Sequence, residues 1–116
     1  MRIIPSQEDK NILTLLLETD ALDANDSLFF KQRIMEIINE TKCYQVIINM
    51  EQLNFIDNSG LESILSLLRT LHSKGGRLKI CAPTKSIHTV FELVCMHKIF
   101  EIYPTHEEAL QSFTNF

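Results

Sequence analysis

The chain has 116 residues, with 11 Lys and Arg against 15 Asp and Glu for a formal charge of −4, and 45% of its residues are hydrophobic. That composition excludes general disorder, and a chain of this length buries roughly two-thirds of its unfolded surface unaided, so one domain over 1–116 is expected. A negative balance with no Lys/Arg cluster excludes a nucleic-acid footprint, which draws its strength from neutralised phosphates.

After Met1 and Arg2, only Ile3 and Ile4 come before Pro5 and the charged Glu8, Asp9 and Lys10. That is too little apolar sequence for a signal peptide, and a cytoplasmic protein is expected. Residues 2–4 read as a short strand and 5–10 as a hairpin loop. The run 11–18 is too short and too evenly apolar for an amphipathic helix, so it reads as a strand covered on both faces. It also falls far short of the roughly 20 residues of a membrane span, and no membrane insertion is expected. Residues 19–26 are rich in turn formers and precede a helix over 28–40, where Phe30, Ile34, Ile37 and Ile38 recur at helical spacing and Asp26 or Ser27 is the cap.

Residues 45–50 form a second buried strand. Phe55-Ile56-Asp57-Asn58-Ser59-Gly60-Leu61 then leads directly into a helix with the stripe Leu61, Ile64, Leu65, Leu68 and Leu71. Gly75 and Gly76, both suited to a left-handed backbone, stop it, with His72 and Lys74 near its negative pole. A third inner strand covers 77–82, and the helix over 85–94 carries Ile87, Val90, Phe91 and Val94 on one face. A short strand over 100–103 and a small helix over 107–113 close the chain. The alternation predicts an α/β fold: a mixed, mainly parallel sheet with about four helices and an opening antiparallel hairpin.

Function concentrates at the junction around Ser59, because ligands and partners of open α/β sheets meet beyond the strand carboxyl ends, where a helix N-terminus accepts an anionic group. Two readings stand at the residue level: Asn58 or Ser59 caps the helix, or Ser59 is a functional hydroxyl. A nucleophile elbow is excluded, since Asp57 stands where that turn needs glycine. Cys95 and His97 are two apart and do not share a helix face, which argues against zinc and leaves His72, His88, His97 and His106 as surface residues. Asp20, Asp23 and Asp26 lack the glycine and terminal Glu of a calcium loop and read as turn and cap residues. Phosphate-loop and dinucleotide fingerprints are absent, and no cofactor is expected. Cys43, Cys81 and Cys95 are odd in number and far apart, which suits a reducing compartment.

These elements, with Leu22-Asp23-Ala24-Asn25, the 55–61 segment, Gly75-Gly76-Arg77-Leu78-Lys79-Ile80 and Phe100-Glu101-Ile102-Tyr103 ahead of Glu107-Glu108-Ala109-Leu110, resemble the STAS domain of bacterial anti-sigma factor antagonists over nearly the whole chain. Asp57-Asn58-Ser59-Gly60 is similar to the family's Asp-Ser-Ser-Gly phosphorylation motif, with Ser59 on the modified serine and Asn58 replacing the other. The first strand is shorter than is usual in that family. The resemblance implies a partner switch and no enzymatic activity: the unmodified protein binds an anti-sigma factor that is also a serine kinase, releasing the sigma factor. Phosphorylation of Ser59 ends that binding, and a PP2C-type serine phosphatase reverses it; Mg-ATP belongs to the kinase. It implies a partner-facing centre of Asp23, Asn25, Asp57, Asn58 and Ser59, extended by Gly60, Leu61, Ser86 and Thr89. The alternatives are an accessory STAS subunit of a lipid-transport complex and a small-molecule binding module.

Overall fold

Apolar runs too short for helices become the inner strands of a sheet, and the segments of helical period cover it. The computed structural model describes residues 1–9 and 11–114. In order they form β1 (Arg2–Asp9), β2 (Ile12–Glu18), β3 (Ala21–Leu22), α1 (Ser27–Thr41), β4 (Gln45–Asn49), β5 (Phe55–Ile56) and α2 (Asn58–Ser73). There follow β6 (Arg77–Cys81), α3 (Lys85–Leu93), a 3-10 turn (Met96–Lys98), β7 (Glu101–Tyr103) and α4 (His106–Thr114). The main sheet has the order β1-β2-β4-β6-β7, antiparallel between β1 and β2 and parallel elsewhere, while β3 and β5 form a separate parallel pair. The mixed α/β architecture and opening hairpin are those the sequence predicts.

Alternation along each strand divides the core. Leu13, Leu15, Leu17, Val46, Ile48, Leu78 and Ile80 join Phe30, Ile34, Leu67, Leu71, Ile87 and Phe91 in the larger cluster, on the face that α1 to α3 cover. Ile12, Ile47 and Cys81 face the other way, where α4 covers them with Ala109, Leu110 and Phe113. Each fully buried Leu, Ile or Phe contributes about 1.5–3 kcal/mol, so the larger cluster dominates stability. Lys79 is drawn into the smaller cluster at 1% exposure. Its Nζ donates to Ser112 Oγ at 2.7 Å, lies 3.6 Å from Glu101 and sits 4.0 Å from the centre of the Phe113 ring.

Several expectations are corrected. β1 is neither short nor followed by a loop from Pro5; it continues to Asp9, with Pro5 opposite Leu15 and an irregularity between Ser6 and Asp9. Proline is tolerated there because β1 is an edge strand with half its N–H groups turned away from the ladder. Lys10, the last residue of the expected loop, lies outside the described residues. In α2 the deep positions are Leu61, Ile64, Leu67, Leu68 and Leu71, and Leu65 is only half-buried on the flank toward α1. Val94 is 46% exposed, since α3 ends before it. At the end of α2 only Gly75 is left-handed, with φ +75°, while Gly76 N–H donates to Leu71 O at 2.8 Å. Gly76 is required for a different reason, because a Cβ there would stand 2.2 Å from Tyr44 O. His106 is no simple surface residue either: it is half-buried, and its Nε2 lies 2.8 Å from Thr14 Oγ1.

Candidate functional site

The rim at the carboxyl ends of the strands is assembled by the two-residue ladder of β3 and β5, with Ala21 beside Phe55 and Leu22 beside Ile56. Bonds on either side extend it: Asp20 O accepts from the N–H of Asn54 at 2.8 Å and of Phe55 at 3.0 Å, and Leu22 O accepts from Asp57 N–H at 3.3 Å. The chain leaving β3 is thereby held along the chain entering α2.

Asp57 closes the arrangement with one carboxylate. Its Oδ1 accepts from Gly60 N–H at 2.9 Å, which caps α2, and its Oδ2 accepts from Ala24 N–H at 3.1 Å, which holds the turn over 23–26. The cap is thus Asp57, not Asn58 or Ser59 as the residue types alone suggest, because the carboxylate in extended backbone reaches the N–H three residues on. In the facing turn Asp23 Oδ1 accepts from Asn25 N–H at 3.0 Å, and Asp23 O accepts from Asp26 N–H at 3.1 Å and Ser27 N–H at 2.9 Å. Asp26 occupies the cap position of α1 without a side-chain capping bond.

Released from capping, Ser59 is half-buried in the first turn of α2, and its hydroxyl makes no hydrogen bond among the described residues. Asn58 beside it is exposed. Gly60 is where the two loops cross: a Cβ would meet Leu22 O at 2.4 Å and Ile56 Cγ1 at 2.7 Å. Leu61, expected among the contact residues, is 8% exposed and belongs to the core, so it and Gly60 support the rim from beneath. The structure therefore brings Asp23, Asn25, Asp57, Asn58 and Ser59 to one rim. Ser86 and Thr89 are on the exposed side of α3, where Thr89 Oγ1 donates to Lys85 O, and α3 is moored by Thr84 Oγ1 donating to Leu53 O at 2.8 Å.

Ser59 also opens onto an open cleft of about 610 Å³ between α1 and α2, with Ser27, Leu28, Lys31, Glu62, Leu65, Ser66 and Arg69 around it. Leu28, 65% exposed, lines it on α1; Phe29, the next residue, is 47% exposed, and Phe55 at 54% precedes the motif. Sequence reasoning passed over these apolar residues, although Leu28 and Phe29 fall off the Phe30–Ile34–Ile37–Ile38 stripe and so signal a surface position. Among the described residues no three His, Cys, Asp or Glu side chains converge to hold a metal ion, and no helix is long and apolar enough to cross a membrane.

Residues 4–109 match the family model for the STAS domain. The chain is 26% identical over 107 residues to the anti-sigma F factor antagonist of Paenibacillus polymyxa, covering 92% of this chain and 91% of that one. The anti-sigma factor antagonist SpoIIAA in its unphosphorylated form superposes with a TM-score of 0.81 at 22% identity, over 99% of this chain and 98% of that one. The phosphorylated form of the Bacillus cell fate determinant SpoIIAA gives a TM-score of 0.72 at 22% identity, over 97% and 99% of the two chains. These two likenesses extend to the fold.

Proposed function

We propose that this chain, which belongs to the STAS domain family, is an anti-sigma factor antagonist working as a partner switch in the cytoplasm. The unmodified protein binds an anti-sigma factor that is also a serine kinase, through the rim of Asp23, Asn25, Asp57, Asn58 and Ser59. In the off step the γ-phosphoryl of the kinase's ATP passes to Ser59 Oγ, the hydroxyl proton leaves to the kinase's base, and ADP departs. A PP2C-type phosphatase hydrolyses the ester and restores binding. In this scheme the protein is ligand and substrate, and catalysis belongs to its partners.

The observation that carries the reading is the division of labour between Asp57 and Ser59. Asp57 does the capping, so the Ser59 hydroxyl at the helix start has no partner among the described residues, and modification there breaks no bond described in the fold. A phosphate there adds about −1.5 to −2 charge beside the Asp57 carboxylate, at the centre of the proposed interface. Like-charge contact in an interface costs several kcal/mol, enough to end binding with no refolding.

The test is phosphopeptide analysis after incubation with candidate kinases and ATP, paired with titration of the same kinase against variants. Ser59→Ala is expected to stay binding-competent and unmodified, and Ser59→Asp to bind more weakly than wild type but better than the phosphoprotein, because a carboxylate carries less charge and fewer acceptors. Equal affinity for wild type, Ser59→Ala and Ser59→Asp would remove Ser59 from the mechanism.

A further inference from the structure

The cleft beside Ser59 is lined by two cations, Lys31 and Arg69, and one carboxylate, Glu62. Lys31 is half-buried on its wall and makes no ion pair or hydrogen bond among the described residues. Half-burial of a lysine covers its carbon stem and leaves the ammonium available to a new anion. Of the carboxylates at the start of α2, Asp57 is committed to two backbone N–H groups, and Glu62 on the opposite wall forms no ion pair among the described residues.

We propose that Lys31 is the receptor for the phosphoryl group on Ser59, so that modification closes the mouth of the α1–α2 cleft with an internal phosphate–ammonium pair. The inference rests on the reading of Ser59 given above and adds to it a residue outside the motif. Geometry selects Lys31 over Arg69, the other cation of the cleft. Ser59 and Arg69 are on one helix ten residues apart, about 15 Å along its axis, beyond contact. The bond from Ala24 N–H to Asp57 Oδ2 holds the approaches to α1 and α2 together, so Ser27 and Ser59 stand at the same end of the cleft, and Lys31 is four residues, about 6 Å, further along α1, a span for its four-carbon side chain. Phosphorylation then acts twice: it adds charge to the rim, and it occupies a cation that has no partner among the described residues and is open to an acidic group of the partner protein.

The charge environment makes this measurable. Asp57 and Glu62 stand on the helix of Ser59 or at its cap, and Asp23 and Asp26 in the turn that Asp57 holds, so carboxylates surround the site and oppose the dianionic phosphate. Lys31 is the cation placed to counter them, and it favours the dianion and lowers the second phosphate pKa from the level the carboxylates would set. Phosphoserine is placed at 59 by chemical ligation or genetic encoding, so no kinase is needed, and its phosphorus resonance is titrated with pH. Lys31→Gln is expected to raise the second pKa, ordinarily near 6, by about half a unit or more. Lys31→Arg restores the wild-type value and Arg69→Gln leaves it unchanged, with amide spectra confirming the fold of each variant. A Lys31→Gln protein that titrates like wild type overturns the proposal, as does an Arg69→Gln shift of equal size, which would reveal a diffuse field and no contact. Kinase binding measured on the same phosphoproteins separates the two readings: if phosphoserine at 59 leaves binding intact, the partner switch fails while the Lys31 contact stands or falls on its own titration.

Discussion

Asp57 joins two loops through two oxygens of one side chain, and Asp23 uses one oxygen for the N–H two residues on. Their substitutions should therefore separate. Asp57→Ala loses a helix cap and the tie to the 23–26 turn and is expected to cost about 2 kcal/mol in urea unfolding. Asp23→Ala loses a local turn bond at an exposed site, an expected cost of about 0.5 kcal/mol. If Asp23 faces the kinase, its removal lowers kinase-dependent Ser59 phosphorylation tenfold or more, about 1.4 kcal/mol, with Tm almost unmoved. Lowered Tm with unchanged phosphorylation would leave Asp23 a turn former. A third residue makes a pH prediction. Burial, and secondarily the charge of Glu51, push the Cys81 thiol up from 9.0 to about 12. The folded state holds that proton more tightly than the unfolded chain does, so its contribution is complete below pH 9 and is lost as pH rises toward 12. Tyr103, raised chiefly by burial, acts in the same direction at higher pH. Cys81→Ala is expected to flatten the alkaline fall in stability between about pH 9 and 11 while lowering stability at pH 7 by about 1 kcal/mol or more through lost packing; an unaltered slope would refute the assignment.

At the scale of elements, the end of α2 shows two glycines required for unlike reasons. Gly75 has the left-handed φ of +75° and open space where a methyl group would stand, with nothing within 4 Å, whereas a Cβ on Gly76 would collide with the Tyr44 backbone at the entry to β4. Gly75→Ala should thus cost about 1 kcal/mol, a conformational penalty alone. Gly76→Ala should cost about 2 kcal/mol or more, because backbone must shift where Arg77 N–H donates to Tyr44 O at 2.9 Å. Differential scanning calorimetry on the pair tests the ranking, and equal melting temperatures would contradict it. Gly76 thereby registers α2 and β6 against the start of β4, just as Gly60 registers the start of α2 against β3. Positioning of Ser59 relies on both ends of the same helix.

The whole molecule is a sheet with unequal faces, three helices over the larger cluster and α4 alone over the smaller. Ile48, fully buried in β4 between β2 and β6, lies in the larger cluster. Ile48→Asp is expected to unfold the domain at room temperature, since an unpaired buried carboxylate costs several kcal/mol against a total stability of roughly 5–15 kcal/mol. A variant with wild-type melting would contradict the packing. The rim is fastened by backbone bonds and by Asp57, so in the proposed switch a phosphate on Ser59 would change the surface offered to a partner without breaking any of these bonds.

Periodicity and residue type, which are local properties of the chain, were sufficient to determine the inner strands β2, β4 and β6, the helices α1 to α4 and the place of Asp57-Asn58-Ser59-Gly60 at a strand-to-helix junction. The stripe Phe30, Ile34, Ile37 and Ile38 is buried as its spacing predicts, because a helix with one apolar face has one way to lie on a sheet. What needed the tertiary structure depends on neighbours. β1 continues past Pro5 only because β2 offers a ladder to its edge, and β3 and β5, two residues each, have no period to detect and exist through their mutual pairing. Leu65 and Leu67 are alike as residues, and the position of α1 beside α2 decides which is deep and which flanks the cleft. The same holds at the site: Asp57, Asn58 and Ser59 are all competent caps by type, and the extended backbone that the β3–β5 pairing holds up to Asp57 puts that carboxylate on Gly60 N–H and Ala24 N–H, leaving the serine hydroxyl outside the cap.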